Sequence, residues 1–226
     1  MKKSILFSLL VFSTALALVG CKSNQNEPEG GNSKGHNYVD LDLSVKWATC
    51  NVGAESPEDY GNYYAWGETA TKENYDWSTY FDTNDGGRTF TKYKNEGGKT
   101  VLDPEDDAAH VNWGGSWRMP TKAEWQELYD NCTWTWTTQN GINGYKVTSN
   151  KAGYTDKFIF LPAAGLRDGS DLDNVGSLGH YWSSSLYEYY SVVAWYLIFN
   201  SDDRLVNGYG DRYDRFDGLS VRPVLP

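Results

Sequence analysis

Apolar positions recur at helical spacing in one long stretch of the chain and at strand spacing in most of the others. In WRMPTKAEWQELYDNC, Trp125, Leu128, Tyr129 and Cys132 stand at i, i+3, i+4 and i+7, with Lys122, Gln126, Glu127 and Asp130 on the other face. Thr121 precedes the stripe and Glu124 follows three residues later, the capping box that satisfies two orphan N–H groups at a helix start. The pattern predicts one main helix over about 121–132, its stripe packed on a sheet.

Strand spacing accounts for the rest. Val39, Leu41, Leu43, Val45 and Trp47 alternate with Asp40, Asp42, Ser44 and Lys46, a half-buried strand or a bent strand pair. Trp134 and Trp136 share one face, and the glycine turn around Asn140-Gly141 and Asn143-Gly144 signals a hairpin. FIFLP reads as a buried strand that stops at Pro162, and HYWSSS, AWYLIFN and LSVRPV read as later strands. Residues 51–100 are rich in Gly, Asn, Asp, Tyr and Thr and read as long packed loops with short strands. Their rings (Tyr60, Tyr63, Tyr64, Trp66, Tyr75, Trp77 and Tyr80) suit a core, because loops poor in aliphatics bury aromatics; a carbohydrate-stacking platform is the alternative. The expected class is α+β: mostly short antiparallel strands and long loops with one main helix, in one domain spanning 38–226.

The chain begins differently. Lys2 and Lys3 precede an apolar run from Ile5 to Val19, the pattern of a secretory signal over residues 1–20. It ends in Leu18-Val19-Gly20-Cys21, which looks like a bacterial lipobox, with lipid expected on Cys21. Residues 21–37 are polar and aperiodic, a lipid-anchored tether that reaches on the order of 20 Å and holds His36 in solvent. With no aspartate after Cys21, the expected address is an outer-membrane lipoprotein, at the cell surface of a Gram-negative bacterium, held to the membrane through its anchor alone.

Charge and cysteine usage narrow the function. A formal charge of −10 and a sequence pI near 4.7 argue against nucleic acid as partner. Export permits a Cys50–Cys132 disulfide without requiring one. Asp103-Pro104-Glu105-Asp106-Asp107 could suit calcium, but Asp103 as a helix cap, Pro104 at the first position and acids in a first turn explain it with no metal. HExxH, CxxC, GxSxG and a phosphate-cradling GxGxxG at a strand-to-helix junction are all missing, so the expectation is no enzyme, no cofactor and no metal.

The run YVDLDLSVKWATCNVGA, YGNYYAWGE, LDPEDDAAHVNWGGSWRMPTKAEWQEL, CTWTW, FLPAAG, YWSSS and SVRPV resembles, in that order, the Fibrobacter succinogenes major paralogous domain. It is also similar to the variable proteins of diversity-generating retroelements, and WRMPTKAEW resembles the signature of the formylglycine-generating-enzyme branch of the C-type lectin-like fold. The resemblance covers roughly residues 38–226 and implies a C-type lectin-like fold with a binding role. Formylglycine-generating enzymes use a late cysteine pair; here the last cysteine is Cys132, so the likeness implies the fold without the activity. The EPN and WND sugar–calcium motifs of animal C-type lectins are missing from the domain.

Within that domain the tail is compositionally odd. From Tyr189 to Pro226 there is no Lys, Glu, Gln or Met, and Trp195 is the one tryptophan. Every other residue there can be written by a codon ending in a pyrimidine, which is what adenine-directed mutagenesis of AAC or AAT codons leaves behind. Tyrosine with Ser, Gly, Asn and Arg is also the composition of a binding surface. The expected ligand-binding set, within a variable tail of about 187–217, is Tyr187, Tyr189, Tyr190, Tyr196, Ile198, Asp203, Arg204, Asn207, Tyr209, Asp211, Arg212, Tyr213, Asp214 and Phe216. Tyr196 and Ile198 face opposite to Trp195, Leu197 and Phe199, so the even face is expected as display if the odd one is core. The reading is a monomeric surface lipoprotein with a diversifiable site for a protein or glycan ligand at a cell or phage surface. A carbohydrate-binding module, or a structural tip subunit of a surface appendage, is the alternative.

Overall fold

A computed structural model describes residues 30–207 and 213–226; Cys21 and the expected signal peptide lie outside them. The chain opens with three short strands, β1 (Gly31–Ser33), β2 (His36–Val39) and β3 (Lys46–Ala48). β4 (Tyr63–Tyr64) is the one strand of the loop-rich stretch that follows. A 3-10 turn at Pro104–Asp106 leads into α1 (Ala108–Trp113), and α2 (Lys122–Asn131) comes next. β5 (Cys132–Gln139), β6 (Ile142–Ser149) and β7 (Phe158–Pro162) form a three-stranded antiparallel sheet. β8 (Leu166–Asp168) and β9 (Asp171–Asp173) make a small ribbon. The tail region supplies β10 (Gly179–Leu186), β11 (Ala194–Phe199), β12 (Arg204–Asn207), β13 (Leu219–Ser220) and β14 (Val224–Leu225). These are small, mostly antiparallel sheets with few helices, an α+β architecture.

Local signals act where the sequence puts them. Thr121 Oγ1 accepts the Glu124 N–H and the Glu124 carboxylate accepts the Thr121 N–H, so the capping box closes and α2 starts at Lys122. Arg118 holds the same Glu124 through an ion pair of 2.5 Å. Trp125 and Leu128 are buried, with the Trp125 ring tilted against Trp47 at 4.6 Å. Asn140 and Gly141 both take positive φ, the two-residue turn that joins β5 to β6 in register. Asp42 sits at φ 56°, turning the bent pair β2–β3. β14 returns to pair with β3, tying the C-terminus to the start of the domain.

Two expectations need correction, one is refined and one open point closes. β1 pairs with β2, so residues 31–37 belong to the domain and not to a tether. His36 is half-buried, stacked 3.8 Å from Trp113, because three rings (His36, Trp113, Trp117) bury one another there. Asp103 does stand at the N-cap of the 3-10 turn, with Pro104 first and acids in the turn, but its side chain makes no capping bond and turns to Lys92 and Lys99; α1 is capped by Asp107, which accepts the His110 N–H. The Cys50–Cys132 bridge, left open by the sequence, is not formed: Cys132 is a buried free thiol, and burial pushes it up to about 12.

The sheet ordered β12-β11-β10-β13-β4 is the middle layer of the domain. Tyr181, Leu197 and Phe199 enter a first core with Trp47, Trp125 and Trp134. Trp182 and Tyr196 enter a second with Tyr64, Trp66 and Tyr93. Both faces are covered, which decides where tail side chains can reach solvent.

Candidate functional site

β10 and β11 are joined by a tight excursion in which the Tyr187 N–H donates to Val193 O and the Val193 N–H to Tyr190 O. The turn is too small to bury its rings. Tyr189 is 71% exposed and Tyr190 50%. Tyr187 lies between them and the frame, its ring centroid 5.5 Å from Tyr189, 6.2 Å from Tyr190 and 5.2 Å from Trp195. Trp195 is itself fixed: its Nε1–H donates to Glu188 at 2.7 Å, and the Lys122 ammonium sits 3.3 Å above its ring. The result is an exposed tyrosine ridge on a rigid base. Beside it opens a groove of about 540 Å³, with Tyr189, Tyr190 and Ser191 on one wall and residues 87–90 and 94–96 on the other.

A second, smaller groove of about 180 Å³ gathers Ile198, Asp203, Arg204, Asn207 and Tyr213. Asn200 builds its rim, accepting the N–H groups of Asp202 and Asp203 at 2.8 Å each while its own N–H donates to Asp203 O. The Arg204 guanidinium lies over the rings of Tyr129 and Trp134, which hold its otherwise mobile stem. Next to the groove, His180 is wholly buried, 4.5 Å from the Tyr213 ring, and burial pushes it down to about 4, so it is neutral at physiological pH.

Two buried arginines hold the tail. Arg215 is 0% exposed and ion-paired with Asp82 at 2.6 Å. Its remaining donors reach Tyr80 Oη at 3.0 Å, Tyr93 O at 2.9 Å and Ser191 O at 2.8 Å, and its plane lies between Trp66 and Phe90. Burial alone pushes the Asp82 carboxyl up, but hydrogen bonds from Thr91, the Lys92 N–H and Arg215 bring it below its ordinary value. Arg222 donates to Asn51 Oδ1, Ala48 O, Thr49 O and Phe160 O, fixing the last strand crossing. Arg215 was not among the expected site residues, and no local pattern marks it; its partner stands 133 residues away. Arg222 lies in the LSVRPV block already singled out.

The expected site residues divide. Tyr187, Tyr189 and Tyr190 form the ridge, and Ile198, Asp203, Arg204, Asn207 and Tyr213 line the smaller groove. Tyr209, Asp211 and Arg212 lie outside the described residues. Tyr196 is a correction: it is 0% exposed, because the even face of β11 packs on Trp182 and the second core. Phe216 is half-buried against Trp77 at 4.9 Å, and Asp214 is half-buried where it bridges to Val193; both belong more to the frame than to a display. Neighbouring Asp217 is buried, and burial together with the charges of Asp168 and Asp214 pushes it up to about 8.

Two other candidates resolve as structure. Asp103, Glu105 and Asp106 converge, but the Lys92 ammonium sits among them at 2.8, 3.0 and 2.6 Å and supplies the positive charge itself. In residues 60–80, Trp66, Tyr63, Tyr64, Tyr75 and Tyr80 are buried, and Trp77 is packed on Tyr80, Phe90 and Phe216, so the rings serve as core. The two grooves thus offer exposed tyrosines, amides and charges on fixed backbone. Comparison with family models, with curated proteins and with solved structures found no match to this chain.

Proposed function

We propose that the protein is a surface-anchored lipoprotein of C-type lectin-like fold that binds a ligand through its tail, and that the tail's exposed side chains are exchangeable. What carries the reading is the division of the tail: exposed Tyr189 and Tyr190 and the groove-lining Asp203, Arg204 and Asn207 alternate with fully buried Tyr196, Arg215 and Arg222. Buried members fix the backbone, so the others can change without loss of the fold. The tail's restriction to residues with pyrimidine-ending codons, and the order of motifs shared with the retroelement variable proteins, support the same reading. A protein ligand of ordinary size would cover about 800 Å² of this face. The carbohydrate platform of residues 60–80 loses support because its rings are engaged in the core.

The test is a phage-displayed library randomised at Tyr187, Tyr189, Tyr190, Asp203 and Asn207. Most members should fold, as judged by protease resistance, and selection against arbitrary protein targets should yield binders. A library that mostly unfolds, or that folds and never yields binders, would defeat the proposal.

A further inference from the structure

β5 is an edge of the sheet ordered β5-β6-β7, and its sequence, CTWTWTTQ, carries no charge, proline or glycine. Its register with β6 runs unbroken from Cys132↔Ser149 to Gln139↔Ile142, so no bulge twists the edge away. Charges, prolines and bulges are what keep a bare edge from pairing, and this strand has none of them. The pair that closes a two-residue turn is hydrogen-bonded and the pattern then alternates, so Thr133, Thr135, Thr137 and Gln139 bond to β6. Trp134, Trp136 and Thr138 therefore aim their N–H and C=O groups outward, where among the described residues no group bonds to them. The far edge of the same sheet is capped: on β7, Phe160 O accepts from Arg222 and Pro162 O from Tyr181 Oη.

The strand is also complementary to itself. Laid antiparallel with Thr135 opposite its own copy, Trp134 meets Trp136 and Thr133 meets Thr137, the aromatic and threonine pairs that stabilise sheets. The half-buried Trp136 gains cover in that arrangement. Charge agrees: Lys151 stands by the start of β5, where it acts on Cys132, and Glu58 is held at the other end by Gln139 and Asn140. Antiparallel pairing sets Lys151 of each copy toward Glu58 of the other, whereas parallel pairing would set like charges together. We propose that two copies of this chain join edge to edge along β5 in this register, making one sheet of six strands from two of three. The outward groups of both strands then make about eight ladder bonds. The expected monomer gives way to a two-fold dimer. Its ridges stay open, because their base, Lys122, starts α2 while β5 begins after the last residue of that helix, about 15 Å along. Two ridges on one particle would add avidity for a repeated ligand. The seam lies outside the tail, so the inference stands apart from the reading of the tail as a binding surface.

The test is sedimentation of the full-length chain in neutral detergent, where a concentration-dependent dimer is expected. Thr135→Glu should weaken it about tenfold or more, since two carboxylates then oppose each other at the axis. The melt should hold, because Thr135 is exposed and Lys146 stands opposite it within its own sheet. Thr135→Lys should dissociate the dimer likewise, and mixing the Glu and Lys variants should restore it. A near-isosteric change gives a second readout: Thr135→Cys places the two Cα atoms about 4.5 Å apart, within disulfide reach, so mild oxidation should yield a covalent dimer. Thr133→Cys, roughly 14 Å from its own copy, should not. A monomer at every concentration up to about 100 μM overturns the proposal. So does a dimer that Thr135→Glu leaves intact, a mixture that fails to reassemble, or cross-linking through Thr133→Cys as readily as through Thr135→Cys. Any of these would leave the reading of the tail standing.

Discussion

Replacing Arg215 with Met keeps most of its volume and removes its charge, and the consequences can be worked from its contacts. Asp82 would be left ionised in a site where both partners are fully buried, which typically costs about 3–5 kcal/mol. Thr91 Oγ1 and the N–H groups of Thr91, Lys92 and Tyr93 still reach the carboxylate, so the lower end, about 3 kcal/mol, is expected. Against a total of about 5–15 kcal/mol for a domain of this kind, that is a large fraction. Arg215 Nη1 also joins the two walls of the larger groove, donating to Tyr93 O beside Lys94 and to Ser191 O beside Tyr190. R215M should therefore abolish binding there without touching the ligand. Urea unfolding supplies the stability difference from the midpoint and slope. The double variant D82N/R215M should lose less than the two single variants summed, by more than about 1 kcal/mol, because the single changes strand a partner and the double does not. A loss below about 1 kcal/mol in R215M, or strict additivity, would refute the role of this pair as the joint of the tail.

Other outcomes follow from burial and charge. Tyr196→Ala should cost about 3 kcal/mol in the same assay, against less than about 0.5 for Tyr189→Ala, because one ring fills the second core and the other meets solvent. Asp217→Asn should stabilise the domain at high pH and not at low pH. The folded carboxyl sits near 8, above the unfolded value, so the folded state holds its proton longer; the penalty grows as pH rises from about 4 to about 8, reaching a few kcal/mol, and is absent below about 4. Melting curves at about pH 4 and pH 9 for wild type and Asp217→Asn check the sign, and an equal shift at both would be contrary. Cys21→Ser should abolish incorporation of labelled palmitate and release the protein from membranes; continued labelling would contradict the anchor.

The legible parts of this fold were those fixed by neighbours in sequence. The capping box and stripe give α2 to within a residue at each end, and Asn140-Gly141 gives the β5–β6 turn, because each signal acts within one turn of chain. Pro162 stops β7 by lacking an N–H to extend the ladder. The display positions were only half legible. Alternation along β11 separates odd from even residues but does not say which face meets water, and in a middle layer neither does; hence Tyr196 is core. Tail composition picked out Tyr187, Tyr189 and Tyr190, but the opposing wall at Arg88, Lys94 and Asn95 is brought there by contacts such as that from Asn95 to Ser191, 96 residues apart. His36 was misread for the same reason, since Trp113 and Trp117 reach it only in the folded chain.

The central claim is that a fixed frame carries exchangeable side chains, and sequencing the 3′ end of the gene across a population of cells tests it most directly. The account predicts substitutions concentrated at adenines of AAC or AAT codons for Tyr187, Tyr189, Tyr190, Asp203 and Asn207, with Tyr196, Arg215 and Arg222 unchanged, and a near-identical downstream copy beside a reverse-transcriptase gene. Substitutions spread evenly through the domain, or Lys, Glu and Gln at those display positions, would contradict it.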